Sequence, residues 1–151
     1  MGTEITAESS ASIERPVQDV WAFVSNPSNE PRWHTDIVDI KSAGDPAGHS
    51  PESWAVGATW LVTVQFMGRR QYEVEITAVE PMRRIEITTK TGPMKPIASY
   101  EFQGADGHTR FTRRVDMPLS GPMRLLAPLM RGDLRKRNAR FVQNLKELLE
   151  T

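Results

Sequence analysis

The sequence contains no cysteine, which excludes disulfides, thiolate nucleophiles and cysteine-based metal sites. It also has no excess of charge, because 19 Lys and Arg side chains are balanced by 19 Asp and Glu. A net charge of zero provides no overall field that would draw the protein to nucleic acid. No run of about 18 apolar residues is present. We therefore expect a cytoplasmic protein that neither binds nucleic acid nor inserts stably into a membrane.

The amounts of apolar and charged residues are those of a folded domain. Of 151 residues, 38% are hydrophobic and 25% are charged. This balance is typical of a globular chain and not of a disordered one. The length fits one domain of ordinary size, and we expect residues 1–151 to form it.

Alternation of apolar and polar side chains predicts that most of the chain forms β-strands. The pattern occurs first in residues 5–13. It returns in six later segments, at residues 37–40, 60–67, 72–77, 85–88, 98–102 and 111–117. Short turns such as Gly104–Gly107 separate the later segments. Hairpin-linked strands with one polar and one apolar face indicate an antiparallel sheet that is solvated on one side.

Helical spacing replaces this alternation in two places. After Pro16, apolar side chains recur at helical intervals, at Val17, Val20, Trp21 and Val24. We expect residues 28–33 to form a second short helix or turn. A much longer helix is predicted from about Ser120 to Glu150. Its apolar row consists of Leu126, Met130, Leu134, Phe141, Leu145 and Leu148. Pro128 should kink this helix or separate a short leading turn from its main body.

The order of elements suggests how the apolar face of the sheet is covered. It is strand, two short helices, six strands and one long helix, and only the last helix is long enough to cross the sheet. We therefore expect an α+β fold in which a curved antiparallel sheet of about six to seven strands wraps around the C-terminal helix. Such a sheet rarely closes completely on its helix, so a ligand cavity is expected between them.

Nearly the whole chain resembles one known protein family, as four of its segments show. The opening "SASIERPVQDVWAFVSNPSNEPRWHTDI" is similar to the family's first strand, helix pair and second strand. "VGATWLVTVQFMGRRQYEVEITAVEPMRRIEI" is similar to its central strands. "GHTRFTRRVDM" and "GPMRLLAPLMRGDLRKRNARFVQNLKELLE" resemble its last strand and long helix. These segments resemble the polyketide cyclase/dehydrase-like (SRPBCC) family of the START and Bet v 1-like superfamily. The resemblance implies a helix-grip fold, but the family includes carriers, sensors, cyclases and dehydratases.

Two polar residues interrupt predicted apolar faces. Arg113 alternates with Phe111 and Val115, so it should point inward, where an unpaired charge is costly. It is either an anchor for an acidic or carbonyl ligand, or part of a structural salt bridge such as one to Glu101. Asn138 interrupts the apolar row of the long helix. It either points into the cavity or, as we favour, lies at the margin of the helix face.

The sequence gives weaker indications of acid–base catalysis and of metal binding than of a ligand cavity. His34 and Asp36 are spaced to share one face of a strand and are candidates for a general acid–base pair. The three histidines, His34, His49 and His108, lie in separate segments without metal-ligand spacing. We therefore expect neither a metal nor a cofactor.

Inward-facing positions of the strands and the long helix are the candidates for lining the cavity. They are Trp60, Val62, Val64, Phe66, Tyr72, Val74, Tyr100, Phe102, Phe111, Arg113, Met117, Met130, Leu134 and Asn138. The flexible methionine thioethers among them suit varied apolar ligands.

Three functions fit these residues. The first is binding of a small hydrophobic molecule, either lipid-like or an aromatic polyketide. The second is a polyketide cyclase or dehydratase that uses the same cavity. The third is a membrane or protein interaction through the basic side chains of the long helix, such as Arg135, Lys136 and Arg137.

Overall fold

A computed structural model describes residues 3–44, 54–65 and 68–151. Seven antiparallel strands form one sheet, in the order β1-β7-β6-β5-β4-β3-β2. The strands are β1 Thr3–Ile13, β2 Ile37–Gly44, β3 Thr59–Gln65, β4 Arg69–Glu80, β5 Arg84–Thr89, β6 Ile97–Ala105 and β7 His108–Leu119. Six of the seven follow one another as neighbours, and β1 pairs with the last strand. Within the described residues, all seven predicted segments are thereby confirmed as strands; residues 66–67 of the segment 60–67 lie outside them.

The alternation in sequence corresponds to burial on the two faces of the sheet. In β7, Phe111, Arg113 and Val115 are buried, whereas Arg110 and Arg114 are exposed. Irregularities in the β2–β3 and β4–β5 pairings, such as the one between Ile76 and Ala78, add local bends to the sheet. The buried face, which we call the inner face, is the one that the C-terminal helix covers.

Two short helices and one long helix complete the fold. They are α1 Val17–Val24, α2 Glu30–Trp33 and α3 Ala127–Glu150. A 3-10 turn, Pro27–Asn29, joins the first two, and another, Gly121–Leu126, precedes α3. The long helix therefore begins later than the predicted Ser120. Pro128, which lacks an N–H group, occupies the first turn of α3 and separates the leading turn from the main helix, as predicted.

The long helix packs mainly on β1 and β7, at one end of the sheet. Its buried side chains are Ala127, Asn138, Phe141, Val142 and Leu145. On the sheet side, Phe111 is fully buried and packs edge-on against Trp33 of α2. This helix-grip arrangement holds α2 beside α3 and places both against the inner face.

Apolar side chains form two separate clusters. The larger core contains Trp33, Tyr100, Phe111 and Phe141. The smaller, which we call the methionine cluster, has Ile5, Leu119 and Ala127 at its centre. Half-buried side chains surround that centre: Met94, Met117, Met123, Met130 and Leu134. In the part of the chain that the structure describes, no helix combines the length and the hydrophobicity needed to cross a membrane.

Candidate functional site

Five polar residues meet on the inner face between the two apolar clusters. We call Glu30, His34, Tyr100, Arg113 and Asn138 the polar cluster. Glu30 belongs to α2 and His34 directly follows it, while β6, β7 and α3 supply the other three. Tyr100 and Arg113 are directly opposite each other in the β6–β7 register. Four separate elements therefore bring polar groups to one buried place.

Arg113 and Asn138 are bound to each other. The Arg113 guanidinium donates a hydrogen bond to Asn138 Oδ1, and Asn138 Nδ2 donates to the Arg113 carbonyl oxygen at 2.9 Å. Only 5% of Arg113 and none of Asn138 is exposed. The guanidinium carbon lies 5.7 Å from the Tyr100 ring centroid and 5.5 Å from that of Phe141. The cation is thus held by one neutral amide and two aromatic faces.

Glu30 is the centre of the other half of the polar cluster. The Tyr100 hydroxyl donates a hydrogen bond to Glu30 Oε2, and His34 Nδ1 lies 3.8 Å from the same oxygen. Glu30 is 3% exposed and the His34 side chain 17%. The His34 ring also packs on Phe141, with 4.4 Å between centroids. An acidic side chain is therefore buried between a phenol and an imidazole.

Burial and charge set the protonation of these groups. The pKa of His34 is lowered, first by burial and then by the Arg113 cation, and Glu30 only partly offsets this. The pKa of Tyr100 is raised well above its ordinary value, first by burial and then by the nearby Glu30 charge. Near neutral pH, His34 is a neutral imidazole and Tyr100 a neutral hydroxyl donor.

The polar cluster is not saturated with hydrogen bonds. Within the described residues, Glu30 Oε1, His34 Nδ1 and Arg113 Nε are buried without a protein partner. The indole nitrogens of Trp33 and Trp60 share this property. Such groups cost about 1–3 kcal/mol each when left unpaired. The donors and the carboxylate acceptor match a ligand that carries an oxygen and a hydroxyl group.

The polar cluster does not form a metal site. It offers one carboxylate and one imidazole, and in the described ranges no three metal-ligating side chains are grouped. Arg113 would also repel a cation placed beside them. The chemistry of these residues is hydrogen bonding and proton transfer.

A model of the family described as polyketide cyclase/dehydrase and lipid transport matches residues 4–150. The chain belongs to this family. The match covers every described element of the helix-grip fold and agrees with the resemblance seen in the sequence. No curated protein matches the chain at the sequence level.

Solved structures share the fold of this polyketide cyclase/dehydrase family member. A START superfamily protein from Mycobacterium smegmatis superposes with a TM-score of 0.79 at 11% identity, covering 97% of both chains. A Thermus thermophilus protein gives 0.73 at 13% identity, covering 95% of this chain and 96% of that one. Truncated norcoclaurine synthase from Thalictrum flavum gives 0.68 at 12%, covering 97% and 94%. At these identities the likeness shows the fold alone.

The predicted lining residues occupy three places in this family member. The inner face of the sheet carries Trp60, Val62, Val64, Tyr72, Val74, Tyr100, Phe102, Phe111 and Arg113. Met117, Met130 and Leu134 belong to the methionine cluster, and Asn138 joins the polar cluster. Phe66 lies outside the described residues. Tyr100 and Arg113 are thus brought together with Asn138, whereas Trp60 and Tyr72 belong to the other half of the sheet.

Three details of the predicted site are wrong. His34 faces Glu30 and not Asp36, whose carboxylate accepts from Arg137 of α3 at 2.9 Å. Glu101 does not pair with Arg113, because it lies on the exposed outer face. Asn138 is fully buried instead of marginal. Contacts between distant elements explain the first two: Arg137 of α3 engages Asp36, and Asn138 of α3 engages Arg113.

Sequence reasoning missed Glu30. The segment around it was interpreted only as a short helix or turn. Glu30 precedes His34 by four residues, the spacing that places side chains on one helix face. That spacing is the signal that could have identified the pair.

The described part of the chain has at least two surface hollows. One, with a volume of about 420 Å³, is lined by side chains such as Arg83, Glu101 and Arg110. The other, of about 360 Å³, lies between Pro16–Gln18 and the Gly104–Gly107 turn. Neither of them is lined by the polar cluster. The predicted cavity between sheet and helix does not correspond to either hollow.

Proposed function

We propose that the protein binds a small, mainly apolar molecule whose polar end meets the polar cluster. The observation that carries this proposal is the set of unpaired polar atoms on an otherwise apolar inner face, above all Arg113 Nε and Glu30 Oε1. A ligand oxygen beside Arg113 and a ligand hydroxyl beside Glu30 would supply the missing hydrogen bonds.

Energetics favour this role for Arg113. A buried guanidinium is expensive unless charge or several hydrogen bonds compensate it. Its protein partners here are the neutral Asn138 and two aromatic rings. Glu30, the acidic side chain of the polar cluster, already accepts a hydrogen bond from the Tyr100 hydroxyl. A carbonyl, carboxylate or phenolate of a ligand therefore has the most to gain at this position.

The methionine cluster is the proposed route to the polar cluster. Met117 follows Arg113 by four residues on the same face of β7, and Leu134 precedes Asn138 by one turn of α3. These side chains and Met130 are half-buried, unlike the neighbouring core. Because methionine has three flexible torsions, this end of the core opens at lower cost than the aromatic end. Its apolar surface would hold the hydrocarbon part of the ligand.

The family provides supporting context. Its description includes lipid transport as well as cyclase and dehydrase activity. Both uses involve an extended apolar molecule with oxygen-bearing groups. The inner face described above has the same combination of apolar surface and polar anchor.

A thermal-shift screen with fatty acids, sterols, flavonoids and aromatic polyketides tests the proposal. A ligand that prefers the folded state raises the melting temperature in proportion to ln(1 + [L]/Kd). We expect a hit whose affinity falls at least about tenfold in R113M/N138L, a pair of changes that replaces the polar link by apolar side chains. M117W should block binding at the methionine cluster.

The matched control is I97W, which adds the same ring on the outer face of β6, where Ile97 is 38% exposed. It should bind like the wild type. The proposal is wrong if no compound in the screen raises the melting temperature, or if M117W binds the ligand as well as the wild type does.

Acid–base catalysis is a second candidate because of one observation, the buried contact between neutral His34 and Glu30 beside Tyr100. In an aldol cyclisation, His34 would take a proton from the carbon next to a carbonyl. The deprotonated carbon would then bond to a second carbonyl carbon of the same chain. Tyr100 would turn its hydroxyl from Glu30 to donate a hydrogen bond to the oxygen that becomes negative, and His34 would return the proton to that oxygen. The hydroxyl so formed would leave as water together with the remaining hydrogen of the attacking carbon. Incubation with a linear poly-β-ketone and mass spectrometry would reveal a cyclised product that has lost water. Turnover that persists in both H34Q and Y100F would exclude this assignment.

A further inference from the structure

The 3-10 turn before α3 and the first turn of α3 together carry an exposed group of leucines. Leu125 is 85%, Leu126 52% and Leu129 74% exposed. The other exposed large apolar side chains in the described ranges, such as Val56 and Ile97, are far apart in the sequence. Three such leucines within five residues are unusual on a surface that faces water only.

Basic side chains extend this apolar group along the helix. Leu129 follows buried Ala127 by two residues and therefore points away from the sheet. Lys136 follows Leu129 by seven residues and Arg140 follows Lys136 by four, so they lie on the same outer side of α3, and both are exposed. We call Leu125, Leu126, Leu129, Lys136 and Arg140 the leucine–basic surface.

The segment is strongly cationic although the whole chain is neutral. Residues 121–140 contain six Lys and Arg against one acid, Asp133. Asp133 lies 3.4 Å from Arg137 and so does not offset the outer cations. Arg137 itself is turned toward Asp36. The local field around Lys136 and Arg140 is therefore positive.

We propose that the leucine–basic surface docks the protein on an anionic lipid bilayer. Protruding leucines in the 3-10 turn and the first turn of α3, with cations farther along α3, fit an interface in which apolar side chains enter the acyl region and cations remain at the headgroups. A second copy of the chain fits poorly, because a two-fold contact through this surface would bring together two surfaces that both carry net positive charge. Neither of the two surface hollows described above is lined by these residues, which disfavours a peptide that needs a groove.

Docking in this orientation brings the methionine cluster close to the membrane. Met123 and Met130 flank the exposed leucines in sequence and turn inward, into that cluster. A lipid leaving the bilayer would meet these methionines first. The inference stands independently of the proposed ligand, since vesicle binding needs no occupant of the inner face.

Co-sedimentation with phosphatidylcholine vesicles, and with vesicles of equal parts phosphatidylcholine and phosphatidylglycerol, tests the docking. We expect the wild type to bind the anionic vesicles at low salt and to dissociate as salt is raised. L125S/L129S should lower the partition coefficient on anionic vesicles at least about tenfold. K136E/R140E should lower it by about as much.

Two control variants separate this surface from general effects. V56S removes an apolar side chain that is 56% exposed elsewhere. K41E/R110E makes the same change in net charge at exposed sheet positions. Both should retain most of the binding, and circular dichroism should show all four variants folded.

Three results would overturn the proposal. The first is no binding of the wild type to anionic vesicles at low salt. The second is an equal loss in K41E/R110E and K136E/R140E, which would make net charge the only cause. The third is self-association without vesicles that L125S/L129S abolishes, which would assign the surface to a second copy of the chain.

Discussion

Asn138 of α3 binds Arg113 of β7 in both directions, through its amide oxygen and its amide nitrogen. This double contact ties the long helix to the sheet at the boundary between the larger core and the methionine cluster. It also leaves Arg113 Nε unpaired. The same pair therefore ties the helix to the sheet, and under the proposed function it leaves one donor for a ligand.

The Arg113–Asn138 pair should show strong energetic coupling. N138L removes the side-chain hydrogen bond that the buried Arg113 donates to Asn138 Oδ1, so we expect a loss of about 2–4 kcal/mol in the free energy of unfolding. The double variant R113M/N138L should recover to within about 1 kcal/mol of the wild type, because the buried cation is removed together with its amide partner. Urea denaturation of both variants and of R113M gives the coupling energy. Simple additivity of the two single changes would contradict the assigned contact.

Tyr100→Phe should destabilise the protein through Glu30. The substitution removes the hydroxyl that donates to Glu30 Oε2 and leaves a buried acidic oxygen without that donor. We expect a cost of about 1–3 kcal/mol in chemical denaturation. Y72F is the matched control, since Tyr72 is only half-buried, and it should change stability by less than about 0.5 kcal/mol. Equal effects of the two changes would argue against the Glu30 contact.

Stability should depend on pH through His34. Its pKa in the folded protein lies below the ordinary value of 6.5, so below that pH the unfolded chain takes up a proton that the folded chain does not. The folded state is therefore fully favoured above about pH 6.5 and loses up to about 1.4 kcal/mol per pH unit as the pH falls toward the folded-state pKa.

Denaturation midpoints between pH 7.5 and pH 5.5 measure this slope, and H34Q should flatten it. The control is H108Q, because His108 lies in the hairpin between β6 and β7, away from the polar cluster, and its loss should leave the slope as in the wild type. A wild-type slope that survives in H34Q would assign the pH dependence to other groups.

Gly92→Ala should strain the loop before β6. Gly92 has φ +93°, and an added Cβ would lie 2.6 Å from the Tyr72 ring. We expect a loss of about 2–3 kcal/mol from the backbone conformation and the clash together. G57A is the control for the backbone alone, because Gly57 has φ +89° with nothing within 4 Å, and it should cost about 1 kcal/mol. Thermal denaturation distinguishes the two; equal losses would mean that Tyr72 moves aside freely.

Most of the fold could be predicted from local patterns. Alternation located the strands because burial of one sheet face requires it, and β7 shows this directly with Phe111 and Val115 buried. Pro128 indicated the break before the long helix, because proline has no N–H to continue a helical ladder. The exact start of α3 was missed, since a 3-10 turn and an α-helix have similar sequence patterns.

The site could be predicted only in part. Inward orientation of Arg113 followed from its place in the alternation, but its partner lies 25 residues away on another element. Tyr100 and Glu30 are separated by 70 residues, and no local pattern relates them. His34 was paired with Asp36 because the two are neighbours in sequence, whereas α3 brings Arg137 to Asp36 and leaves His34 facing Glu30.

By itself, the amino-acid sequence determined the type and order of the elements, the face of each strand that is buried and the family resemblance. These depend on side-chain periodicity and on the conformational limits of proline and glycine, which act over a few residues. Only the tertiary structure decided which buried polar groups meet. That choice depends on how β6, β7, α2 and α3 pack, since a buried charge or donor binds whichever group the packing places within hydrogen-bonding distance.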